Sequence, residues 1–445
     1  MTMNFSNEDC KEMKHRNSLL GVLVFFFLLF APVASFAAID TIAVDVGISV
    51  FKTMPIGIVP FEEKGAIDWV EEQPHKILTR DANLSGRFDV VASPKFDLAK
   101  FSREHADYYM TGKVENAGAG RLRVQCFLYV SKSKTLRLGE SYTIPQKELR
   151  RAIHEFFDKA TLAICGERGV ASTKLAYVSK IDGVKQVVVS DYDGFHRSQV
   201  TRDSTISMMP VWKRGNKGLV YVNFKTHRPR LYEKNFGGAE HPLFPQFDQT
   251  YSPAVNPVTG ELLFSSTVDG KTDLYVGNTE TGKARKFAYL KSNQTSPAWS
   301  PRAAEVLFTS DRGGSPQIFV MGRDGSDLRR VTFMGRYNER ASWSPEGDRI
   351  VYTSMDNGKM NIYTCALDGS DIVQLTNNAG NNEHPTWSPD GKLIAFSSNR
   401  SGTYQIYIMR KDGANVTRIT NSGENTAPTW SFFNEGINNK KEGNK

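Results

Sequence analysis

The sequence predicts an α+β N-terminal domain followed by an all-β six-bladed β-propeller. A repeat of 43 or 44 residues runs through the C-terminal part of the 445-residue chain, and a mixed pattern of strands and helices precedes it. The composition agrees, because 11% aromatic residues favours β structure, and 40% hydrophobic with 23% charged residues is typical of a folded protein.

The charge of the chain limits the classes of partner. The formal net charge is +8, from 56 Lys+Arg and 48 Asp+Glu, and most of the excess lies in the C-terminal part. An excess of this size without a basic cluster does not indicate nucleic-acid binding. It fits either an acidic partner of the C-terminal domain or simply a soluble basic surface.

Residues 1–37 have the three parts of a secretory signal peptide. Basic residues within Lys11–Arg16 precede the apolar run Leu19–Phe30, and Ser35–Ala37 offers small residues for cleavage. The run has twelve residues, short of the roughly 20 that span a membrane. We expect cleavage and a mature chain without a transmembrane segment; an uncleaved N-terminal anchor is the alternative.

The segment between residues 55 and 166 is predicted to form one α+β domain. Helical signals lie around Asp68–Asn83, and Pro145 is predicted to start an amphipathic helix that Gly166 ends. The predicted strands are Met54–Phe61, Asp107–Val114, Leu122–Val130 and Leu136–Ile144.

The cysteines give no sign of metal binding. Cys126, Cys165 and Cys365 remain after cleavage, and no Cys/His cluster accompanies them. One bridge between Cys126 and Cys165 is possible, and buried free thiols are the favoured interpretation.

The repeat in the C-terminal part is marked by two independent residues. The first marker is the last residue of a segment that resembles P-x-W. The second marker is a glycine, which follows Asp in four of the six copies. The first marker consists of Trp212, Val255, Trp299, Trp343, Trp387 and Trp430, and the second of Gly194, Gly238, Gly282, Gly325, Gly369 and Gly413. Two markers that keep one period through six copies are typical of a repeat architecture.

Each copy is predicted to contain four short strands. In the last full copy Trp387 is predicted to open the first strand, Pro389–Gly391 forms a turn, and Asp412-Gly413 forms a tight hairpin. Four strands per repeat are typical of a propeller blade.

The two ends of the propeller are predicted to share one blade. The last copy has only its first strand, around Trp430, and Lys174–Thr201 supplies three strands without a P-x-W segment. This pairing closes the ring and leaves no exposed sheet edge at the seam. The predicted boundaries are 1–37 for the signal peptide, 38–54 for a partner-binding segment, 55–166 for the α+β domain, 167–173 for a linker, 174–437 for the propeller and 438–445 for a polar tail.

No motif of a common enzyme class occurs in the chain. It has no G-x-S-x-G, H-E-x-x-H or P-loop sequence, so we expect no catalytic residue, cofactor or metal. His384 is interpreted as a surface-loop residue, and Asp390 and Glu346 as turn residues.

The polar residues before each P-x-W segment are the candidate binding residues. They are predicted to be loops that lie together on one face, around the channel, where they suit protein recognition. The alternative is that these turns are simply polar. The predicted residues are Ser207, Met208, Gln249, Thr250, Thr295, Ser296, Asn338, Glu339, Arg340, Asn382, Glu383, His384, Asn425 and Thr426.

Three segments carry a resemblance to a known family. PIGIVPF (Pro55–Phe61), SDYDG (Ser190–Gly194) and PTWSPDGKLIAFSSNR (Pro385–Arg400), combined with a signal peptide, resemble the TolB family of the Tol–Pal system. The resemblance implies a monomeric, non-enzymatic adaptor of the periplasm that supports outer-membrane integrity and envelope constriction.

The resemblance also implies two partners, with other envelope proteins as further ones. The lipoprotein Pal is expected on the propeller face, where Gln249, Thr250, Thr295 and Ser296 are carried over from the family. The other four segments before P-x-W follow only from the geometry of the repeat.

The second implied partner, TolA, is expected at the mature N-terminal segment Ile39–Val50. In this segment Ile42, Val44, Asp45 and Gly47 match the family pattern, and the remaining residues depart from it. Its alternating apolar residues suit addition to the edge of a partner's sheet.

The sequence also leaves two other functions open. One is a propeller hydrolase or lyase that uses the channel, and the other is a propeller that binds a small ligand or sugar.

Overall fold

The structure is a computed structural model that describes residues 53–67, 69 and 72–434. The predicted signal peptide, the polar tail, and the TolA-binding segment with Ile42, Val44, Asp45 and Gly47 lie outside the described residues. No helix in the described ranges is both long enough and apolar enough to cross a membrane.

The α+β domain is built on one mixed sheet. Its strand order is β3-β1-β4-β5-β6, with β2 beside β4, and β1 runs parallel to both of its neighbours. The elements are β1 (Met54–Ile58), β2 (Glu62–Lys64), α1 (Pro74–Leu84), β3 (Phe88–Ala92), α2 (Leu98–Arg103), β4 (Tyr108–Asn116), β5 (Arg121–Val130), β6 (Leu136–Pro145) and α3 (Leu149–Cys165).

Helices α1 and α3 cover one face of this sheet. Ile77 of α1 and Phe156 of α3 are fully buried against sheet residues such as Val124. Helix α3 ends as predicted at Gly166, whose φ of 75° is accessible to glycine without strain.

Two helix starts differ from the predictions. Helix α1 begins at Pro74, six residues later than expected, because proline fits only the first turn of a helix. Pro145 is the last residue of β6, and the helical turn Gln146–Glu148 separates it from α3.

Six four-stranded antiparallel sheets make up the propeller within the described residues. The first three blades are β10 (Ser207–Trp212), β11 (Gly218–Asn223), β12 (Arg230–Asn235) and β13 (Glu240–Pro242); β14 (Thr250–Val255), β15 (Leu262–Val268), β16 (Lys271–Gly277) and β17 (Ala284–Lys286); and β18 (Gln294–Trp299), β19 (Glu305–Ser310), β20 (Gln317–Gly322) and β21 (Arg329–Arg330).

The remaining blades have the same order from the inside outward. They are β22 (Asn338–Trp343), β23 (Arg349–Asp356), β24 (Lys359–Ala366) and β25 (Val373–Gln374); β26 (Asn382–Trp387), β27 (Leu393–Ser398), β28 (Gln405–Arg410) and β29 (Thr417–Arg418); and β30 (Asn425–Trp430) with β7 (Lys174–Ile181), β8 (Val184–Asp191) and β9 (Ser198–Gln199).

The sixth blade closes the ring with strands from the beginning and the end of the propeller. Strand β30 pairs with β7 from Asn425 opposite Ser179 to Trp430 opposite Leu175. The predicted six-bladed ring and its shared blade are confirmed.

The innermost strands begin earlier than predicted. Trp387 does not open its strand but ends it, because the pairing with β27 extends back to Asn382. The equivalent Trp343 links two blades, because its Nε1 donates to the carbonyl of Ala298, 3.1 Å away in the preceding blade. Nε1 of Trp387 has no hydrogen-bond partner among the described residues.

The α+β domain contacts the propeller at the last two blades. Arg87 lies between Glu167 and Asp390, with N–O distances of 2.9 and 3.0 Å. Asn415 Nδ2 donates to the carbonyl of Asn83. Asp390 therefore has a role beyond the predicted turn, because its carboxylate also anchors the neighbouring domain.

Candidate partner-binding face of the propeller

The two ends of the propeller differ in what they carry. We call the end where the innermost strands begin, at Ser207, Thr250, Gln294, Asn338, Asn382 and Asn425, the open face. The opposite end, which contacts the α+β domain at Asp193, Asp390 and Asn415, is the docked face. Strands of a meander alternate in direction, so all connections between blades reach the open face.

Nearly all of the predicted binding residues lie inside innermost strands rather than in loops. Gln249 alone precedes its strand, β14. The loop prediction was wrong because the polar residues pair with the second strand, as Glu383 pairs with Ser397. They still lie at the open face, where these strands begin.

Five of the predicted residues are too buried to meet a partner. Ser207, Thr250, Asn338, Asn382 and Asn425 are at most 1% exposed.

These buried residues fix the corners of the blades. Asn425 Nδ2, at the start of the sixth blade, and Thr420 Oγ1 both donate to Gln405 Oε1 of the fifth blade, at 2.9 and 2.7 Å. The equivalent bonds join Asn338 and Thr332 to Gln317. The asparagines at the strand starts are therefore structural, because they satisfy buried polar groups.

The other predicted residues are half-buried around the mouth of the channel and can be reached by a partner. They are Met208, Gln249, Thr295, Ser296, Glu339, Arg340, Glu383, His384 and Thr426.

Six residues with a left-handed backbone conformation form a ring around the narrow part of the channel, a cavity of about 170 Å³. Each innermost strand has a β-bulge here, and the bulged residue has φ between 50° and 55°. The ring residues are Met209, Ser252, Ser296, Arg340, His384 and Ala427. Five of them precede proline, which lacks the N–H needed for regular pairing and so suits the bulge.

The ionisable residues in this ring and directly before it in the chain have distinct environments. Burial, reinforced by the positive charges of Arg340 and Lys185, holds the pKa of His384 well below its ordinary value, so the imidazole is neutral at neutral pH. Glu383 accepts a hydrogen bond of 2.6 Å from the Tyr404 hydroxyl, and Glu339 accepts one of 2.9 Å from Tyr337. The mouth of the channel thus has fixed acceptors beside a cationic side chain.

The open face also has exposed apolar residues around this polar ring, which no sequence motif marks. They lie in the connections between blades and in the turns between second and third strands, both at the open face. They are Ile206, Val268, Tyr289, Phe333, Met334 and Met355, and Tyr289 is 87% exposed. Isolated apolar residues in turns have no periodic pattern, so only the structure reveals them as a group.

The other end of the channel is lined by aromatic residues. A cavity of about 580 Å³ is bordered by Trp212, Trp299, Trp343, Trp387 and Trp430, together with the two phenylalanines that follow β30. These tryptophans are nearly buried, so their main role is packing between blades.

Comparison with known proteins identifies the family. Residues 162–362 and 342–444 match the model of the "TolB beta propeller domain", and residues 42–136 match the "TolB amino-terminal domain". Curated relatives named "Tol-Pal system protein TolB" occur in Methylobacillus flagellatus, 28% identical over 50% of this chain and 54% of the relative, and in Coxiella burnetii, 30% identical over 49% and 53%.

The chain spans about half the length of the curated relatives that it matches. The crystal structure of TolB from Acinetobacter baumannii shares the fold, with a TM-score of 0.73 and 23% identity over 85% of this chain and 96% of that chain. Because the propeller family alone matches more than half of the sequence, the chain belongs to the TolB family.

Proposed function

We propose that this protein is a periplasmic adaptor of the Tol–Pal system that binds the lipoprotein Pal through the open face. The observation that carries the proposal is the difference between the two ends of the propeller. The α+β domain contacts the docked face through Asp193, Asp390 and Asn415. The open face combines a half-buried polar ring with Tyr289 and Phe333, the two most exposed large apolar residues of the described chain.

Such a surface suits a protein partner more than a small substrate. Apolar residues such as Tyr289 and Phe333 can act as anchors, and polar groups such as Glu339 and Arg340 can set orientation. The narrow cavity of about 170 Å³ is too small for most ligands, whose pockets measure roughly 300–1,000 Å³. The name shared by the relatives supports the choice of partner.

We propose that the protein acts without catalysis. In the described part of the chain, no serine of the channel ring is hydrogen-bonded to His384, as a nucleophile and its base would be. The neutral imidazole faces Arg340, which further lowers its capacity to take up a proton.

The second proposed partner is TolA, which binds the segment Ile39–Val50. A pull-down with the soluble domains of Pal and TolA tests both sites at once. A chain lacking residues 39–50 should lose TolA and keep Pal with unchanged affinity. Retention of TolA by this shortened chain, or no capture of Pal at micromolar concentration by the full chain, would contradict the proposal.

A further inference from the structure

A cluster of buried ionisable groups joins the α+β domain to the docked face. Asp81 of α1, Arg150 and His154 of α3, and Asp193 in the turn after β8 are each at most 4% exposed. Asp193 belongs to the propeller and the other three to the α+β domain. The cluster therefore spans the interface between the two domains.

Each nitrogen of the His154 imidazole lies near a different carboxylate. Nδ1 lies 2.8 Å from Oδ2 of Asp81, within its own domain. Nε2 lies 4.0 Å from Oδ2 of Asp193, across the interface, and has no hydrogen-bond partner among the described residues. A neutral ring leaves this buried nitrogen unsatisfied, whereas a protonated ring directs an N–H toward Asp193.

The count of charges around the ring also favours a proton. Asp81 and Asp193 supply two negative charges, and Arg150, bonded to Asp193, supplies one positive charge. Tyr192 stays neutral, because burial raises its pKa well above the ordinary value, and its hydroxyl donates to Asp81. With a neutral His154 the buried cluster keeps one uncompensated negative charge.

The other acidic groups nearby have partners of their own. Asp158 accepts hydrogen bonds from the backbone N–H groups of Ala171 and Ser172. Asp191 contacts Lys174 and His196. Glu72 binds Arg150 and Arg80 at the half-exposed edge of the cluster. The cations among these partners, such as Lys174 and Arg80, are bound to carboxylates of their own and do not supply the missing positive charge at His154.

A metal ion is a weaker candidate than a proton for this position. One ligand atom each of Asp81, His154 and Asp193 lie within 4.8 Å of one another, as in many metal sites. However, the guanidinium of Arg150 already occupies Asp193 and would repel a cation.

We propose that the proton on His154 controls how firmly the α+β domain is held on the propeller. The protonated ring links Asp81 of one domain to Asp193 of the other. Loss of the proton leaves two buried carboxylates with only Arg150 to compensate them, and the contact loosens.

The direction of the pH effect follows from the surroundings of the ring. Burial alone lowers the pKa of His154, but the charges of Asp81 and Asp193 outweigh it, and the pKa is raised above its ordinary value near 6.5. The contact between the α+β domain and the propeller is therefore fully stabilised below pH 6.5. It loses this stabilisation as the pH rises through the raised pKa of His154. Burial also raises the pKa of Asp158 to about 6, but this carboxyl titrates at lower pH than His154.

Hydrogen exchange of the full chain between pH 6 and 9 tests the proposal. After correction for the intrinsic pH dependence, the linker residues 167–173 should exchange faster above pH 6.5. The expected increase is up to about tenfold per pH unit until the pKa of His154 is passed. NMR of the histidine side chains in the same samples gives that pKa directly.

Two variants and one control make the test specific. His154→Gln should remove the pH step, and Asp193→Asn should both remove the step and lower the pKa of His154, because the cluster is then balanced with a neutral ring. His241→Gln, at an exposed position of β13, should behave as the wild type. A step that persists in Asp193→Asn, or a His154 that is neutral at pH 6, would overturn the proposal.

Discussion

At the scale of single residues, the hairpin glycines connect one blade to the next. Gly194 has φ of 90°, and a Cβ added there would lie 2.4 Å from the carbonyl oxygen of Ile419 in the fifth blade. Gly413 approaches the carbonyl of Leu375 in the same way. The equivalent Gly282 also has a positive φ, of 67°, but nothing lies within 4 Å of its Cβ position.

This contrast yields a matched pair of substitutions. Gly282→Ala should lower the free energy of unfolding by about 1 kcal/mol, from backbone strain alone. Gly194→Ala should lower it by about 2–4 kcal/mol, because the clash with Ile419 adds to the same strain. Denaturant unfolding at pH 7 measures both values. Equal losses would show that the close approach between blades has no energetic weight.

Two histidines should affect stability in opposite directions. The pKa of His154 is raised, so this residue stabilises the fold at low pH, whereas the pKa of the half-buried His384 is lowered and its imidazole is neutral in the folded protein. Below pH 6.5 the unfolded chain takes up a proton at His384 that the folded chain resists, so this residue destabilises the fold as the pH falls.

His384→Gln should therefore reduce the loss of stability between pH 6.5 and 5. The quantity to measure is the difference in unfolding free energy between variant and wild type at each pH, because other titrating groups such as Asp158 cancel in that difference. The variant should gain on the wild type as the pH falls. If the difference in unfolding free energy does not change with pH, His384 takes up its proton as readily in the folded protein as in the unfolded chain, which would contradict the prediction.

At the scale of elements, the innermost strands show what sequence patterns can and cannot predict. The P-x-W segments correctly indicated one inner strand per blade, because a marker with a constant period requires a repeated structure. The start of each strand was missed, because polar residues followed by proline look like a loop. The strand includes both the polar residues and the proline because of the bulge at His384. At the bulge the regular pairing is interrupted, so the missing N–H of proline costs no hydrogen bond.

In the α+β domain, long strands were predicted and short elements were missed. The long meander β4–β6 was predicted closely, because each strand alternates apolar and polar residues over nine or ten positions. Strand β2, helix α2 and strand β3 were missed. They have three, six and five residues, and Glu62–Lys64 is fully exposed, so they are too short or too polar for a periodic signal.

The closing strand β30 allows a direct test of how the ring is held together. A chain that ends at Ser422 loses the ladder with β7 and the 2.7 Å hydrogen bond from Trp430 Nε1 to Thr173. Its melting temperature should fall by more than about 10 °C, because several kcal/mol of packing and hydrogen bonding are removed.

A chain that ends at Asn434 is the control for this truncation. It keeps β30 and its contacts and should melt within about 2 °C of the full chain, since 1 kcal/mol corresponds to roughly 2–4 °C in a domain of this size. Similar melting temperatures for both shortened chains would contradict the role of β30 as the closing strand.

At the scale of the whole molecule, the propeller separates two kinds of contact. The docked face is joined to the α+β domain by buried ionic groups, including Arg87 with Asp390 and Arg150 with Asp193. The open face has exposed apolar residues around a polar ring. This division is consistent with the proposed adaptor role, in which the open face receives a partner.

The location of the candidate site could be predicted from the sequence, but its composition could not. The constant period places the residues before every P-x-W segment at one end of the ring. Which of them are accessible depends on hydrogen bonds between segments far apart in sequence, such as Asn338 with Gln317. Tyr289 and Phe333 come from two connections between blades and Met355 from a hairpin within a blade, and only the folded ring places them at the same end.

Site-specific photo-cross-linking tests the proposed assignment of the open face most directly. A photoreactive residue at Gln249, on the open face, and one at Asp327, in an exposed hairpin of the docked face, are compared in the full chain with the soluble domain of Pal. We predict that Gln249 captures Pal and that Asp327 does not. Capture of Pal from Asp327, with none from Gln249, would contradict the assignment of the open face as the binding surface.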